Sequence, residues 1–359
     1  MTIFWKQTVY LLLAICCPSV IAVGQQTGAY QKQKIEIGSK VSIDNDYGSI
    51  TVRGWDKDFI EAIAVNTNTS KTVPVFIKED SASETSITID SQREKPGKAK
   101  ISLEIKLPRF VQLQPIYNGI NDISVFDING TADLKTDSGE ITVNQIGSLQ
   151  ARSENGSVTV KGVNGSINIQ TGTGNIVIEE IGSKEITTAV SLIEITTGNG
   201  NVKIHNVKDD VRIVAINSKI NLDCVKGDVS IRDTSSQILI LNVGGDVEVS
   251  TSNGRANFVG AIRSDGRYRL KTLSGVVLMA IPDSIGFSAL LTSYKGRIET
   301  DFNLQGGSQS SSRKTISRVA GRFGDGSARI ELDSFEGRVQ LSKIAPEAIQ
   351  QCSEVKTNE

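Results

Sequence analysis

The sequence predicts an all-β protein: a parallel β-helix or β-solenoid with coils of about 18 residues and a strand-rich N-terminal cap. Three observations lead there. First, the eight-residue design TDSGEITV (Thr136 to Val143) returns as SENGSVTV, TGTGNIVI, TGNGNVKI, AINSKINL, DTSSQILI, TSNGRANF, TLSGVVLM, SYKGRIET and SFEGRVQL. Second, aligning the glycines puts one slot at Asn121, Gly139, Gly156, Gly174, Gly200, Ser218, Ser236, Gly254, Gly275, Gly296 and Gly337, with 18 residues as the basic step. Third, apolar and polar residues alternate around each slot with the period of a strand, and no stretch sustains the 3.6-residue period of a helix. Parallel strands stacked coil upon coil, about 4.8 Å apart, let every copy bury the same face.

Residues 1–24 read as a secretory signal. Lys6 supplies the positive start, Val9 to Val23 is an apolar run too short for an ordinary membrane span, and Ala22-Val23-Gly24 offers small residues for cleavage after Gly24. Leu13-Ala14-Ile15-Cys16 approaches a lipobox, but Ile15 stands where a small residue is needed. The expected location is secreted, periplasmic or in the cell envelope, with membrane association only if this segment is retained or lipidated. The 39 basic and 40 acidic residues nearly cancel, so no nucleic acid is expected as a partner.

Residues 25–109 form the expected cap. KIEIGSKVSID, GSITVRGW, FIEAIAV, SITID and KAKISLEIKLP alternate as strands do, and a cap covers backbone that an open stack would leave unpaired. Residues 110–344 carry the coils, each of two nine-residue units with two inward apolar residues and a turn; GDVSIRD and GDVEVST are typical first halves. Longer steps mark insertions near Ser183 to Leu192 and at the Gly/Ser-rich Gln305 to Arg322, where another degenerate coil has room. Residues 345–359 are a polar tail. Of the four cysteines, Cys16 and Cys17 leave with the signal, Cys224 shares the parity of core residues Ile220 and Leu222, and Cys352 lies in the tail. Two free thiols are expected there rather than a disulfide.

Position by position, the residues two after the slot (Ile141, Val158, Ile176, Val202, Ile220) and four after it (Val143, Val160, Ile178, Ile204, Leu222) form core columns. Three before the slot, Thr136, Ser153, Thr171, Thr197, Thr251, Thr272, Ser293 and Ser334 form a hydroxyl ladder on inward parity, expected to satisfy backbone groups at a corner.

With GSITVRGW, Leu107-Pro108, the series TDSGEITV, SENGSVTV and TGTGNIVI, and the ending GDGSARIELDSFEGRVQL in view, the chain resembles the YvlB-like candidate-adhesin family of bacterial domains of unknown function, over roughly Lys34 to Ile344. The resemblance implies a secreted or envelope-associated β-solenoid and supplies no catalytic residues. Irregular steps and the serines at slots 218 and 236 depart from the pattern.

Parallel solenoids also carry polysaccharide lyases and hydrolases, which need clustered carboxylates. The columns one and three after the slot hold no acid stack. Six before it, Glu194 beside Arg212 and Glu248 beside Arg269 read as solvated cross-strand pairs. Asp209-Asp210 reads as a solvated turn. His205, the only histidine, points outward, and GDG at Gly324 to Gly326 lacks the recurrent aspartate of calcium β-rolls. No catalytic, cofactor or metal residues are expected. A non-enzymatic scaffold or adhesin-like binding module is the preferred function, with a glycan-active enzyme as the alternative. Its candidate site is a basic patch for an anionic ligand, Arg255, Arg267, Arg269 and Lys271, of which the last three form the tighter group, and its expected partners are cell-surface or anionic glycans or other envelope components.

Overall fold

The computed structural model describes residues 26–349, apart from 29, 46, 82–83, 90–99, 182–191 and 313–315, together with Cys352. The expected signal segment, with Cys16 and Cys17, and nearly all of the insertion near Ser183 to Leu192 lie outside the described residues. Among the described residues the protein is all β. Its 26 strands share one hydrogen-bonded network, and its one helical element is the short turn Pro346–Ala348.

Strand Asp210–Val225 shows how the alternation works. Val211, Ile213, Ala215, Ile220 and Leu222 are buried, while Arg212, Val214 and Lys219 are exposed. It pairs in parallel with Val229–Val243, matching Val211 to Val229, Ile213 to Ile231, Ile220 to Ile238 and Leu222 to Ile240. On its other side Leu192–Val207 pairs at the same repeat offset, Val202 to Ile220. The offset equals the sequence repeat, so each inward side chain lies on its counterpart. Both predicted core columns are buried, and each such side chain contributes about 1.5–3 kcal/mol.

One corner escapes the alternation. Asp127, Gln145, Gly162, Glu180, Asn206, Cys224 and Asn242, each six after a slot, are left-handed, with φ between 53° and 65°. This kink shifts the parity by one residue. A third apolar column therefore appears seven after the slot, in Ile128, Ile146, Val163, Ile181, Val207, Val225 and Val243, all buried. Cys224 is buried, as its parity with Ile220 and Leu222 suggests, and it stands at this corner. The expectation of two free thiols is corrected, because Cys224 forms a disulfide with Cys352, with Cα atoms 5.4 Å apart. The chain beyond the last strand folds back toward the stack, where Ile344 donates its N–H to the Ile281 carbonyl.

At the C-terminal end the spatial order departs from chain order. Ala328–Glu336 pairs in parallel with Arg267–Ile281 on one side and with Phe287–Ser293 on the other. Val339–Lys343 likewise lies between Arg267–Ile281 and Ile298–Thr300. The chain thus passes over one coil position and fills it last, which accounts for the long step between Gly296 and Gly337. The insertion that had room for a degenerate coil is instead a hairpin. Gln305–Ser312 and Ile316–Phe323 pair antiparallel, and the second strand continues antiparallel onto Phe287–Ser293. A Gly/Ser-rich strand has few apolar side chains to add to a core column, and it serves here to cover the backbone edge.

The N-terminal end has a similar displacement. Lys40–Asn45 pairs in parallel with both Glu84–Ile89 and Gln112–Asn118, and Ile50–Trp55 with both Ile101–Pro108 and Ile123–Ser138. The stretch read as a cap therefore contributes parallel pairs, flanked by antiparallel strands such as Phe59–Asn66 on Ile101–Pro108.

Candidate functional site

Arg267–Ile281 presents the basic group as alternation predicts. Tyr268 and Leu270 are buried, Arg267 and Arg269 are exposed and Lys271 is half-buried. Two of these three cations are already matched by carboxylates. Arg269 lies 3.7 Å from Glu248 and 3.1 Å from Glu331, and Lys271 lies 3.0 Å from Glu331. Burial acts to raise the Glu331 carboxyl, but the hydrogen bonds and charges of Lys271 and Arg269 outweigh it and hold its pKa below the ordinary value. The Glu194–Arg212 pair is likewise present at 3.7 Å. Arg255 is exposed on a different strand, Val247–Val259, in the other half of the coil, where its pairing neighbours are Gln237 and Val276. The structure thus brings Arg267, Arg269 and Lys271 together and leaves Arg255 apart.

Glu331 was absent from the sequence-based site because its strand is the one inserted out of order. The same insertion sets Arg329 beside Arg267 in register. Ser288 pairs with Arg329 on one side and with Arg322 on the other, so one transverse row reads Arg267, Arg329, Ser288, Arg322. In the opposite direction the row continues through three aspartates. The Asp228 N–H donates to Asp210 Oδ1 at 2.8 Å, the Asp246 N–H to Asp228 Oδ1 at 2.7 Å, and the Arg267 N–H to Asp246 Oδ1 at 3.0 Å. The columns one and three after the slot hold no acid stack; this one, eight before the slot, is signalled by the recurring Asp-Val of DDV, GDV and GDV at 209–211, 227–229 and 245–247. Each of these carboxylates satisfies backbone of the following coil, a structural use. Together the strands form a shallow groove of about 790 Å³ lined by Asp210, Arg232, Asp246, Glu248, Arg267 and Arg269 among others.

The hydroxyl ladder is buried, as its parity requires. Ser334 Oγ donates to the Gly275 carbonyl at 3.0 Å, Ser293 Oγ to Gly337 at 2.9 Å and Thr136 Oγ1 to Asn121 at 3.3 Å, so these three satisfy slot carbonyls of neighbouring coils. The hydroxyls of Ser153, Thr171, Thr197 and Thr272 are buried without a hydrogen-bond partner among the described residues, which corrects the expectation for that part of the ladder. One coil places Asp233 in this column, 9% exposed, where it accepts from Ser236 Oγ at 2.6 Å and Thr251 Oγ1 at 3.0 Å. Burial pushes the Asp233 carboxyl above its ordinary pKa, more than the hydrogen bonds from Ser236, Thr251 and the Thr234 backbone pull it down. A raised pKa in the folded state means that ionised Asp233 costs stability above that pKa and that the cost disappears below the unfolded value. Asp233→Asn keeps an acceptor for Ser236 and turns a donor toward Thr251, freeing that hydroxyl for the Asn253 carbonyl 3.1 Å away. The variant is expected to be more stable than the parent at pH 7 by about 1 kcal/mol, the gap closing toward pH 3. Thermal melts of both proteins across that range measure it, and a gap that widens in acid would refute the assignment.

His205 lies outward, with Nδ1 3.2 Å from Asp223. Asp209 corrects the expectation of a solvated turn. It is half-buried, its Oδ2 has no hydrogen-bond partner, and burial followed by the charge of Asp210 raises its pKa against the opposing pull of Lys208. Among the described residues no group of three or more His, Cys, Asp or Glu is arranged to hold a metal ion.

No family model matches the sequence, and no curated protein matches it at a significant level. Among solved structures the chain is similar to a candidate cell adhesion protein from Clostridium sporogenes, at 11% identity over 89% of this chain and 100% of the other, with a TM-score of 0.22. It is similar to a candidate lipid-binding protein from Parabacteroides distasonis, at 12% identity over 89% and 98%, with a TM-score of 0.32. A candidate adhesin from Bacteroides fragilis gives 9% identity over 90% and 99%, with a TM-score of 0.27. These TM-scores are too low for any of the three to carry an argument about fold or role.

Proposed function

We propose that this chain is a parallel β-solenoid that acts outside the cytoplasm as a non-enzymatic, adhesin-like binding module. The coil-to-coil register at one repeat supports the solenoid, and the resemblance to the YvlB-like family points the same way. The observation that carries the non-enzymatic reading is that the carboxylates of the charged face are already committed. Glu194, Glu248 and Glu331 each lie within 3.7 Å of an arginine, and Asp210, Asp228 and Asp246 hold backbone N–H groups. Acid/base work on a glycan needs two carboxyl groups facing one bond, with environments that separate their pKa values. An extended sheet face with paired charges suits reversible contact over many repeats instead.

The test has two parts. Cell fractionation should find the protein in the extracytoplasmic fraction. Purified protein should hold envelope polysaccharide without degrading it, with or without calcium. Release of reducing ends or unsaturated uronate, abolished by one acidic substitution, would overturn the non-enzymatic reading, and a cytoplasmic location would overturn the placement.

A further inference from the structure

We propose that Arg267 and Arg329, with Arg322 two strands beyond Arg329, form a site for phosphate- or sulfate-ester groups. The inference rests on the binding-module reading and gives its ligand a chemical class. Nearly every other cation around this row has a carboxylate partner. Arg212 has Glu194 at 3.7 Å, Arg263 has Asp246 at 3.1 Å and Asp265 at 3.2 Å, and Arg269 and Lys271 share Glu331. Arg267, Arg329 and Arg322 are exposed, and none has a carboxylate within ion-pair distance among the described residues. Asp246, the acid next to Arg267 in the row, accepts the Arg267 backbone N–H and the Arg263 guanidinium instead.

Like charges placed directly opposite one another on neighbouring strands repel. Arg267 and Arg329 are held in that arrangement by register, at the strand spacing of about 4.8 Å. An oxyanion between the two guanidinium groups would remove the repulsion. Arginine forks match tetrahedral oxyanions with paired N–H donors, whereas an ammonium offers only a point charge. The Arg322 stem lies over Gly326, where an added Cβ would be 3.1 Å from its Cδ, so its base is placed by packing. The row crosses the strands, so a polymer bearing repeated esters would run along the stack, one ester between Arg267 and Arg329 and another at Arg322. The Glu331-matched cations Arg269 and Lys271 flank the site and contribute little to it.

The experiment uses the mature protein and four probes: heparin as a sulfated polymer, polygalacturonate as a carboxylate polymer, dextran as a neutral one, and phosphatidylglycerol vesicles. Heparin retention is expected at low salt, falling steeply by about 0.15 M. Arg267→Gln/Arg329→Gln is expected to weaken it at least tenfold, and Arg267→Lys/Arg329→Lys to weaken it by an intermediate factor. Arg269→Gln is expected to change it less than twofold. Vesicle binding lost in the same double variant also supports the site and identifies a lipid headgroup as the source of the ester. Equal losses in the Arg269 variant, unchanged retention in the double variant, stronger binding of polygalacturonate than heparin, or retention of none of the anionic probes would overturn the assignment. Dextran binding that survives the double variant would leave the binding module standing without this site.

Discussion

Gly275→Val is expected to leave the protein unfolded at ambient temperature or to cost about 4 kcal/mol or more, among the largest losses available to a single substitution. The residue has φ +153°, and a Cβ there would sit 1.8 Å from the Gly254 carbonyl oxygen and 2.8 Å from its carbon. Both clashing atoms are backbone, so no side chain can swing away. Gly254 has little room to retreat, because its own backbone approaches Ser236 so closely that an added Cβ there would lie 1.9 Å from the Ser236 carbonyl oxygen. The slot is a column of close backbone approaches, and moving one coil presses on the next. Ser218 and Ser236 do not contradict this. Neither has positive φ, and Ser236 Oγ accepts the Ser218 N–H at 3.0 Å, so these coils turn the corner differently. Gly275→Ser is therefore expected to fail as well, while Gly38→Ala, with φ +86° and nothing within 4 Å, should lose only the smaller cost of a left-handed residue. Urea titrations of the three variants compare them, and a Gly275→Val loss below about 1 kcal/mol would disprove the close-approach account.

The slot, the two core columns and the hydroxyl ladder were legible because each is a side-chain preference repeated at one spacing. Gly254 pairs with Gly275 and Thr251 with Thr272, as the alignment predicts. What repetition hides is neighbour identity. Coils of the same pattern fit beside any other, so nothing in SFEGRVQL says that it enters between TLSGVVLM and SYKGRIET. That one fact governs the site. Arg267, Arg269 and Lys271 could be read as outward from Tyr268 and Leu270, but Glu331, which neutralises two of them, and Arg329, which crowds the third, arrive on the inserted strand. The left-handed corner was hidden for a different reason. Asp127, Gln145, Glu180, Asn206 and Cys224 share a backbone angle and no side-chain type, so the parity shift after them left a third core column unseen.

Phe258→Ala is the second large effect, an expected loss of about 3–5 kcal/mol. Phe258 is fully buried, stands between Ile240 and Met279 in its column, and packs its ring 5.4 Å from that of Tyr268. The coils above and below are tied to this one by continuous ladders at a spacing of about 4.8 Å, so the structure cannot collapse into the space left by the ring. The cavity term therefore remains nearly whole. In the solenoid proposed above, each coil contacts chiefly its two neighbours, and stability is close to a sum of coil and interface terms. A defect at Phe258 weakens both interfaces of one coil and lowers the coupling between the two sides of the stack. The parent is expected to unfold in one transition and the variant in two, with amide exchange accelerated first in Val247–Val259 and the flanking strands Val229–Val243 and Arg267–Ile281. Urea titration followed by circular dichroism, with hydrogen exchange in the native range, reads both features. A variant that unfolds in one step at the parent midpoint would show that the stack closes over the missing ring and that its coils are not held at fixed spacing.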